Sequence, residues 1–224
     1  MIAIIDYKMG NVRSVAKALE LLGAKVEVTA SKTKLAKAKA LVLPGVGAFA
    51  AGMQNLRKLN LIPEIKKAIA QDKPFLGICL GQQLLFSQSC EHGKHKGLDI
   101  IPGEVIKFKA GLKIPHMGWN TVEKTEGRSR KTDDRKQKTE NSIKNTEKDI
   151  LLGVPDGSYF YFVHSYYVKP VSRKWIIAST EYGQRFASIV GQGNTYGIQF
   201  HPEKSSDMGL KILENFCKIC GELR

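Results

Sequence analysis

The order of elements in these 224 residues predicts an α/β fold: a mostly parallel central sheet with flanking helices, plus a smaller antiparallel portion in the second half. Three observations carry the prediction. Short apolar runs alternate with helix-like stretches through the first half, which implies parallel strands joined by right-handed crossovers. Two of those runs end in glycine-bearing turns. In the second half, strand-like runs follow one another without long helices between them, as antiparallel pairing requires.

Ile2 to Asp6 is almost continuously apolar, the pattern of a strand covered on both faces. Asn11 suits a helix N-cap. Val12, Val15, Leu19 and Leu22 then recur with helical spacing, and Gly23 stands where a left-handed residue ends the helix. Lys25 to Thr29 alternates like a strand. Ala40 to Leu43 and Phe75 to Ile78 are further apolar runs, each followed by a glycine turn and helix-like sequence. Beyond them, Glu104 to Phe108, Tyr159 to Val163, Trp175 to Ser179, Phe186 to Val190 and Tyr196 to Phe200 read as strands. Asp207 to Glu222 closes the chain as an amphipathic helix, with Leu210, Leu213, Phe216, Cys217 and Cys220 on one stripe. The expectation is one domain over 1–224, interrupted by a polar insert at about 124–148. Apart from Ile143 this insert has almost nothing to bury, so it reads as a solvated loop or a docking arm for a partner.

Composition narrows the function classes. At 42% hydrophobic and 25% charged residues the chain can build a core. Its 35 basic against 21 acidic residues give a net charge of +14, but the excess is spread along the chain, so nucleic-acid binding is not expected. No apolar run reaches the ~18 residues of a membrane span. The amino terminus lacks a charged region followed by an apolar segment, so no secretory signal is expected and the cytoplasm is the default location. Four cysteines form no disulfide framework in a chain of this size. Cys217 and Cys220 make a C-x-x-C with no second pair and read as core thiols, so neither a metal nor another cofactor is expected.

The chemistry lies in three turns. Gly77-Ile78-Cys79-Leu80-Gly81 joins a strand to the helical run Gln82 to Phe86, the pattern of a nucleophile elbow with sulfur as nucleophile. The glycines leave room beside a side chain thrust out on a strained turn. A thiol nucleophile needs a base, and the base needs orienting. His201-Pro202-Glu203 follows another strand, and an extended backbone with φ fixed at Pro202 would let Glu203 support His201. The third turn, Pro44-Gly45-Val46-Gly47, can supply a backbone N–H that joins the N–H of Leu80 in an oxyanion hole. All three lie at carboxyl ends of strands, where open α/β sheets bind ligands.

Gly77 to Gly81 with Gln83, together with His201 to Glu203, resembles the triad-type glutamine amidotransferases and their flavodoxin-like fold. Asp6 to Asn11, Leu43 to Phe49, Pro115 to Asn120, Tyr159 to Tyr167 and Gln199 to Ser206 narrow the resemblance to the glutaminase subunits of imidazole glycerol phosphate synthase. The resemblance implies that Cys79 attacks the amide of glutamine, His201 moves protons and Glu203 orients it. It further implies that Gly47, Gln83, His164, Ser165 and Tyr166 bind glutamine. A (β/α)₈-barrel cyclase would be the partner in a heterodimer, receiving ammonia through a channel, and Pro115, Met117 and Trp119 would face it. Two other readings remain open here: a paralogous glutaminase serving amidino-sugar synthesis, and a binding module without turnover. Lys8, in place of a usual glycine, Gln82, in place of a common methionine, and the insert depart from the family pattern. Lys8 raises the question of a positive φ.

Overall fold

A computed structural model describes residues 1–125 and 149–223. The sheet is built outward from β1 (Ile2–Ile5), which lies between β2 (Val26–Thr29) and β3 (Ala40–Gly45), parallel to both. Beyond β3 come β4 (Phe75–Cys79) and β13 (Thr195–Ile198), also parallel. From there the sheet turns antiparallel through β12 (Arg185–Gln192), β10 (Tyr166–Pro170) and β7 (Ile101–Lys107). Two short strands, β5 (Phe86–Ser89) and β6 (His95–Lys96), close that edge. A branch leaves β12 through β11 (Ile176–Glu181) to β8 (His116–Lys124) and β9 (Ser158–His164). The expected α/β architecture, parallel first and antiparallel later, is the one observed.

Alternation along the strands sorts the core into two layers. Ile2 and Ile4 of β1 point to one face, where α1 (Val12–Leu21) presents Val15 and Leu19 and α6 (Ser206–Ile219) presents Ile212, Leu213 and Phe216. Ala3 and Ile5 point to the other, toward Leu35 of α2 (Lys32–Lys37), Met53 and Leu56 of α3 (Phe49–Lys58) and Ile65 of α4 (Ile62–Ala70). Every residue of β1 is fully buried, so each isoleucine contributes about 1.5–3 kcal/mol through removal from water. Truncating Ile4 to Ala would cost about 2–5 kcal/mol through the added cavity. Gly23 has φ 85 and ends α1 as expected, while Cys217 of α6 and Cys220 just after it are both buried in the core.

Several local expectations change. The helix after the elbow is only α5 (Leu80–Leu84), and Phe86 already belongs to β5. The segment from His116 is a long strand, because it pairs residue by residue with β9 from His116↔His164 to Val122↔Ser158. Lys124 continues that strand, its backbone N–H donating to Asp156 Oδ1 at 2.6 Å. Thr125 follows, its N–H donating to the Ile177 carbonyl at 3.0 Å, and the rest of the insert, 126–148, lies outside the described residues. Among the described residues no helix is long and apolar enough to cross a membrane.

Candidate active site

β4 delivers Cys79 at the carboxyl edge of the sheet with φ 53 and ψ −107, outside the regions an L-residue adopts without strain. The neighbouring glycines are a steric necessity. A Cβ on Gly77 would lie 2.6 Å from the Gly81 carbonyl oxygen, and one on Gly81 would lie 1.7 Å from that of Leu43. Gly45 is the register partner of Cys79 across β3 and β4, so Val46 and Gly47 leave the sheet beside the elbow. Gly47 has φ 102, the left-handed region that glycine enters freely. Tyr7 is packed against the same corner: a Cβ on Gly45 would lie 2.0 Å from its hydroxyl.

β13 runs parallel to β4, with Ile198 opposite Ile78, and carries His201 past the sheet edge toward Cys79. His201 is 1% exposed, and its Nδ1 lies 2.8 Å from Glu203 Oε1. The local geometry is not the extended backbone expected: Pro202–Lys204 form a 3-10 turn that folds Glu203 back beneath the ring. Ser205 anchors this turn, donating to the His201 carbonyl at 2.6 Å and accepting the Tyr161 N–H at 2.9 Å. Burial pushes the imidazole pKa down, but the Cys79 sulfur and the Glu203 carboxylate outweigh it and lift the pKa to about 10. Cys79 therefore acts on the ring at close range, although Nε2 makes no formed hydrogen bond. Glu203 Oε2 is likewise buried without a partner.

Asn11 occupies the N-cap position of α1 but does not cap it. Its φ is 75 and its side chain makes no capping bond. The amide instead donates to Glu203 Oε1 and lies 3.5 Å from His201 Nδ1. A residue expected to serve a helix thus steadies the His201–Glu203 pair, which requires the left-handed backbone that asparagine tolerates.

These elements border a cavity of about 510 Å³, lined by Cys79, Val46, Gly47, Leu80 and Gln83 on the parallel side and by His164, Ser165 and Tyr166 on the antiparallel side. All of the residues expected to form the oxyanion hole and to bind glutamine are brought to one space. Glu91 and Lys107, which were not expected, line it as well; Glu91 Oε2 accepts the Phe49 N–H at 2.6 Å.

Hydrogen bonds fix the antiparallel wall. His164 Nδ1 lies 2.9 Å from the Tyr166 carbonyl and therefore donates, leaving Nε2 to accept from His116 Nδ1 at 3.0 Å. His116 Nε2 then accepts from Asn120 at 3.2 Å. Burial lowers both imidazole pKa values, to about 4 for His116 and about 3 for His164, so each is neutral at pH 7. Gln83 donates to the Tyr166 carbonyl at 3.1 Å and to Gln199 Oε1 at 3.2 Å. Gln199, fully buried, donates in turn to Cys79 Sγ at 3.7 Å. His116, Gln199 and Asn11 were missed as site residues. For Gln199 a signal existed, since it stands two residues before His201 in a strand-like run.

The residues expected to face a partner are exposed. Pro115 precedes β8, and Met117 and Trp119 alternate outward along it at 63% and 51% exposure. Trp119 packs edge-on against Tyr161 of β9, with ring centroids 6.2 Å apart. Lys8 does adopt a positive φ, 65, held by its N–H donating to Asp6 Oδ1 at 3.1 Å. Gln82 is fully buried and donates to the Gly197 carbonyl at 3.3 Å.

A thiol that lines a pocket, with two turn backbones beside it and a buried imidazole–carboxylate pair behind it, is an arrangement suited to acyl transfer. Residues 3–220 match the class-I glutamine amidotransferases, and the chain belongs to that family. It is similar to imidazole glycerol phosphate synthase subunit HisH of Desulfitobacterium hafniense (strain DSM 10664 / DCB-2), with 47% identity over 222 residues covering 99% of this chain and 96% of the relative. HisH of Archaeoglobus fulgidus is 44% identical over 220 residues, 98% of each chain. Among solved structures, a glutamine amidotransferase superimposes with a TM-score of 0.71 at 17% identity over 98% of each chain. A chain of the PurLQS structure from Thermotoga maritima gives 0.67 at 18%, over 97% of each. At those identities the structures speak for the fold alone.

Proposed function

We propose that the chain is the glutaminase subunit of an imidazole glycerol phosphate synthase, acting in the cytoplasm and passing ammonia to a (β/α)₈-barrel cyclase. The observation that carries this reading is the meeting of Cys79 and His201 from separate strands, with Glu203 on the far nitrogen of the ring. Glutamine enters the cavity with its side-chain amide toward Cys79. Glu91 and Lys107 offer opposite charges for its ammonium and carboxylate, and Gln83, His164, Ser165 and Tyr166 form the wall against which it lies.

The thiolate attacks the amide carbon, forming a C–S bond while the carbonyl electron pair moves onto oxygen. That oxyanion is met by the N–H groups of Leu80 and of the Val46–Gly47 turn. As the intermediate collapses, the C–N bond breaks and His201 Nε2 gives its proton to the departing nitrogen, releasing ammonia and leaving a thioester. His201 then takes a proton from water as its oxygen attacks the thioester carbon, and the C–S bond breaks to release glutamate and restore the Cys79 thiolate. Glu203 holds Nδ1 so that Nε2 is the working nitrogen, and Asn11 holds Glu203. The exposed Met117–Trp119 edge of β8 is the face offered to the cyclase, and the relatives' shared name supports the histidine pathway as the destination of the ammonia.

The test is glutamate release by the chain together with its cyclase. Cys79→Ala should lower it by about 10⁴-fold or more, since removing a nucleophile leaves only binding and oxyanion stabilisation. Turnover that survived this substitution would overturn the mechanism.

A further inference from the structure

Three polar side chains outside the proposed triad approach the reacting atoms: Asn11 at Glu203, the buried Tyr7 hydroxyl near the elbow, and Gln199 at the sulfur itself. Gln199 carries the argument furthest, because its orientation is determined by its neighbours. Both hydrogens of the Gln83 amide are used, one on the Tyr166 carbonyl and one on Gln199 Oε1. The Tyr166 carbonyl also accepts from His164 Nδ1, which fixes the His164 tautomer and leaves Nε2 to accept from His116. With its oxygen facing Gln83, Gln199 must turn its Nε2 toward Cys79 Sγ, 3.7 Å away. A fully buried amide has no solvent to satisfy it, so this orientation is costly to reverse.

We propose that Gln199 is a catalytic residue of the glutaminase: its side-chain N–H donates to the Cys79 sulfur and stabilises the thiolate before attack. The sulfur sits in a site 7% exposed, where an anion needs donors from the protein, and the His201 ring supplies charge from one side only. Gln199 supplies a neutral donor from the end of β13. When the C–S bond forms, the sulfur loses its charge and this hydrogen bond weakens, so the residue acts on the thiolate and not on the acyl intermediate. The same amide links the sulfur to Gln83, so the group facing the substrate and the group facing the nucleophile are held together.

The inference rests on the glutaminase reading, but its test needs no glutamine. Alkylation of the intact chain by iodoacetamide at pH 7 can be followed at each cysteine by peptide mass spectrometry. Cys90 is exposed and serves as internal reference, while buried Cys217 and Cys220 report any loss of the fold. In Gln199→Met, which keeps the bulk and removes the donor, Cys79 should react about three- to tenfold more slowly relative to Cys90. That range is what loss of a single long hydrogen bond to the sulfur, which keeps the His201 ring as its other partner, is expected to cost. Turnover number should fall with it, with KM for glutamine changed by less than about threefold if Tyr166 still holds Gln83. If Gln199→Met exposes Cys217 and Cys220, the same ratio is read in Gln199→Asn, which withdraws the amide by about 1.5 Å. An unchanged Cys79 to Cys90 ratio in a variant whose buried cysteines stay protected would overturn the proposal, even if its melting temperature fell. Failure of the glutaminase reading would show differently, as absence of glutamate release by the unsubstituted protein.

Discussion

The two walls of the cavity are built on opposite principles. On the parallel side, backbone geometry places the chemistry: β3 and β4 end together, Cys79 is held in a strained conformation, and glycines at 77 and 81 occupy positions no other residue could fill. On the antiparallel side the backbone is ordinary strand, and side chains do the positioning. There His116 and His164 begin a buried sequence of donors and acceptors that runs through the Tyr166 carbonyl to Gln83 and Gln199 on the parallel side, each fixing the next. A strained turn can aim one atom but has few ways to adjust. A polar chain can connect a surface strand to a pocket, at the cost of burying groups that must all stay paired.

Acid has the largest expected effect, because it destabilises the whole fold through two groups of the antiparallel wall. His116 and His164 have folded-state pKa values depressed to about 4 and about 3, below the unfolded value of about 6.5. Above pH 6.5 both states hold them neutral and they exert no pH-dependent penalty. As pH falls from 6.5 toward 4 the unfolded chain binds protons that the folded chain refuses, and stability drops, by several kcal/mol if both sites act. Urea unfolding between pH 7 and pH 4 would measure this, and His164→Gln should flatten the dependence. A slope unchanged by that substitution would mean that other groups govern acid unfolding.

The next effect belongs to the junction of the walls. Glu203→Gln keeps the shape beneath His201 but removes the charge that helps raise the ring pKa to about 10. Glutamate release should fall about 10²-fold through loss of an oriented, protonated imidazole. Loss of the carboxylate should also lower the ring's pKa, which a histidine NMR titration would register directly. A ring that titrated as before would separate Glu203 from the electrostatics of the site.

What could be read from the sequence follows the same division. The parallel wall was legible because strain needs glycines at fixed places, and Gly77, Gly81, Gly45 and Gly47 flank short apolar runs. Asn11 was legible as a helix boundary but misread in purpose, since the partner of its amide is 192 residues away. The antiparallel wall entered only through resemblance, as His164, Ser165 and Tyr166, and so did Gln83 facing it from the parallel side. β8 escaped notice because its pattern is inverted: Met117 and Trp119 point outward while His116 is buried, so apolar alternation gives the wrong face. Gln199 and His116 look like isolated polar residues until β13 meets β4 and β8 meets β9.

That inverted strand suggests a third experiment. A tryptophan half exposed beside Tyr161, with Met117 and Tyr159 also exposed, is surface that a partner would bury. Trp119→Ala should weaken cyclase binding by about 2 kcal/mol, near 30-fold in Kd, as for an aromatic anchor at an interface. Calorimetric titration of the two chains would read the loss. Basal glutaminase activity of the separated chain should stay within about twofold, because Trp119 does not line the cavity. An unchanged Kd would place the partner face elsewhere.

Lys8 offers the smallest effect and the sharpest comparison between strain that serves chemistry and strain that does not. Cys79 and Lys8 both have positive φ, but only Cys79 places a reactive group in the cavity. The Lys8 side chain is solvent-exposed and pairs with Asp6 Oδ2 at 3.0 Å, an exposed contact worth about 0–1 kcal/mol. The backbone bond from the Lys8 N–H to Asp6 Oδ1 survives any substitution that keeps the turn. Relief of the left-handed penalty, about 1–2 kcal/mol, is partly cancelled by the greater freedom of an unfolded glycine and the lost ion pair. Lys8→Gly should therefore stabilise the chain by about 0.5 kcal/mol in urea unfolding, with alkylation of Cys79 unchanged. If Lys8→Gly instead altered Cys79 reactivity, the strain at residue 8 would have to reach the active site, through Asn11 three residues on and its hold on Glu203.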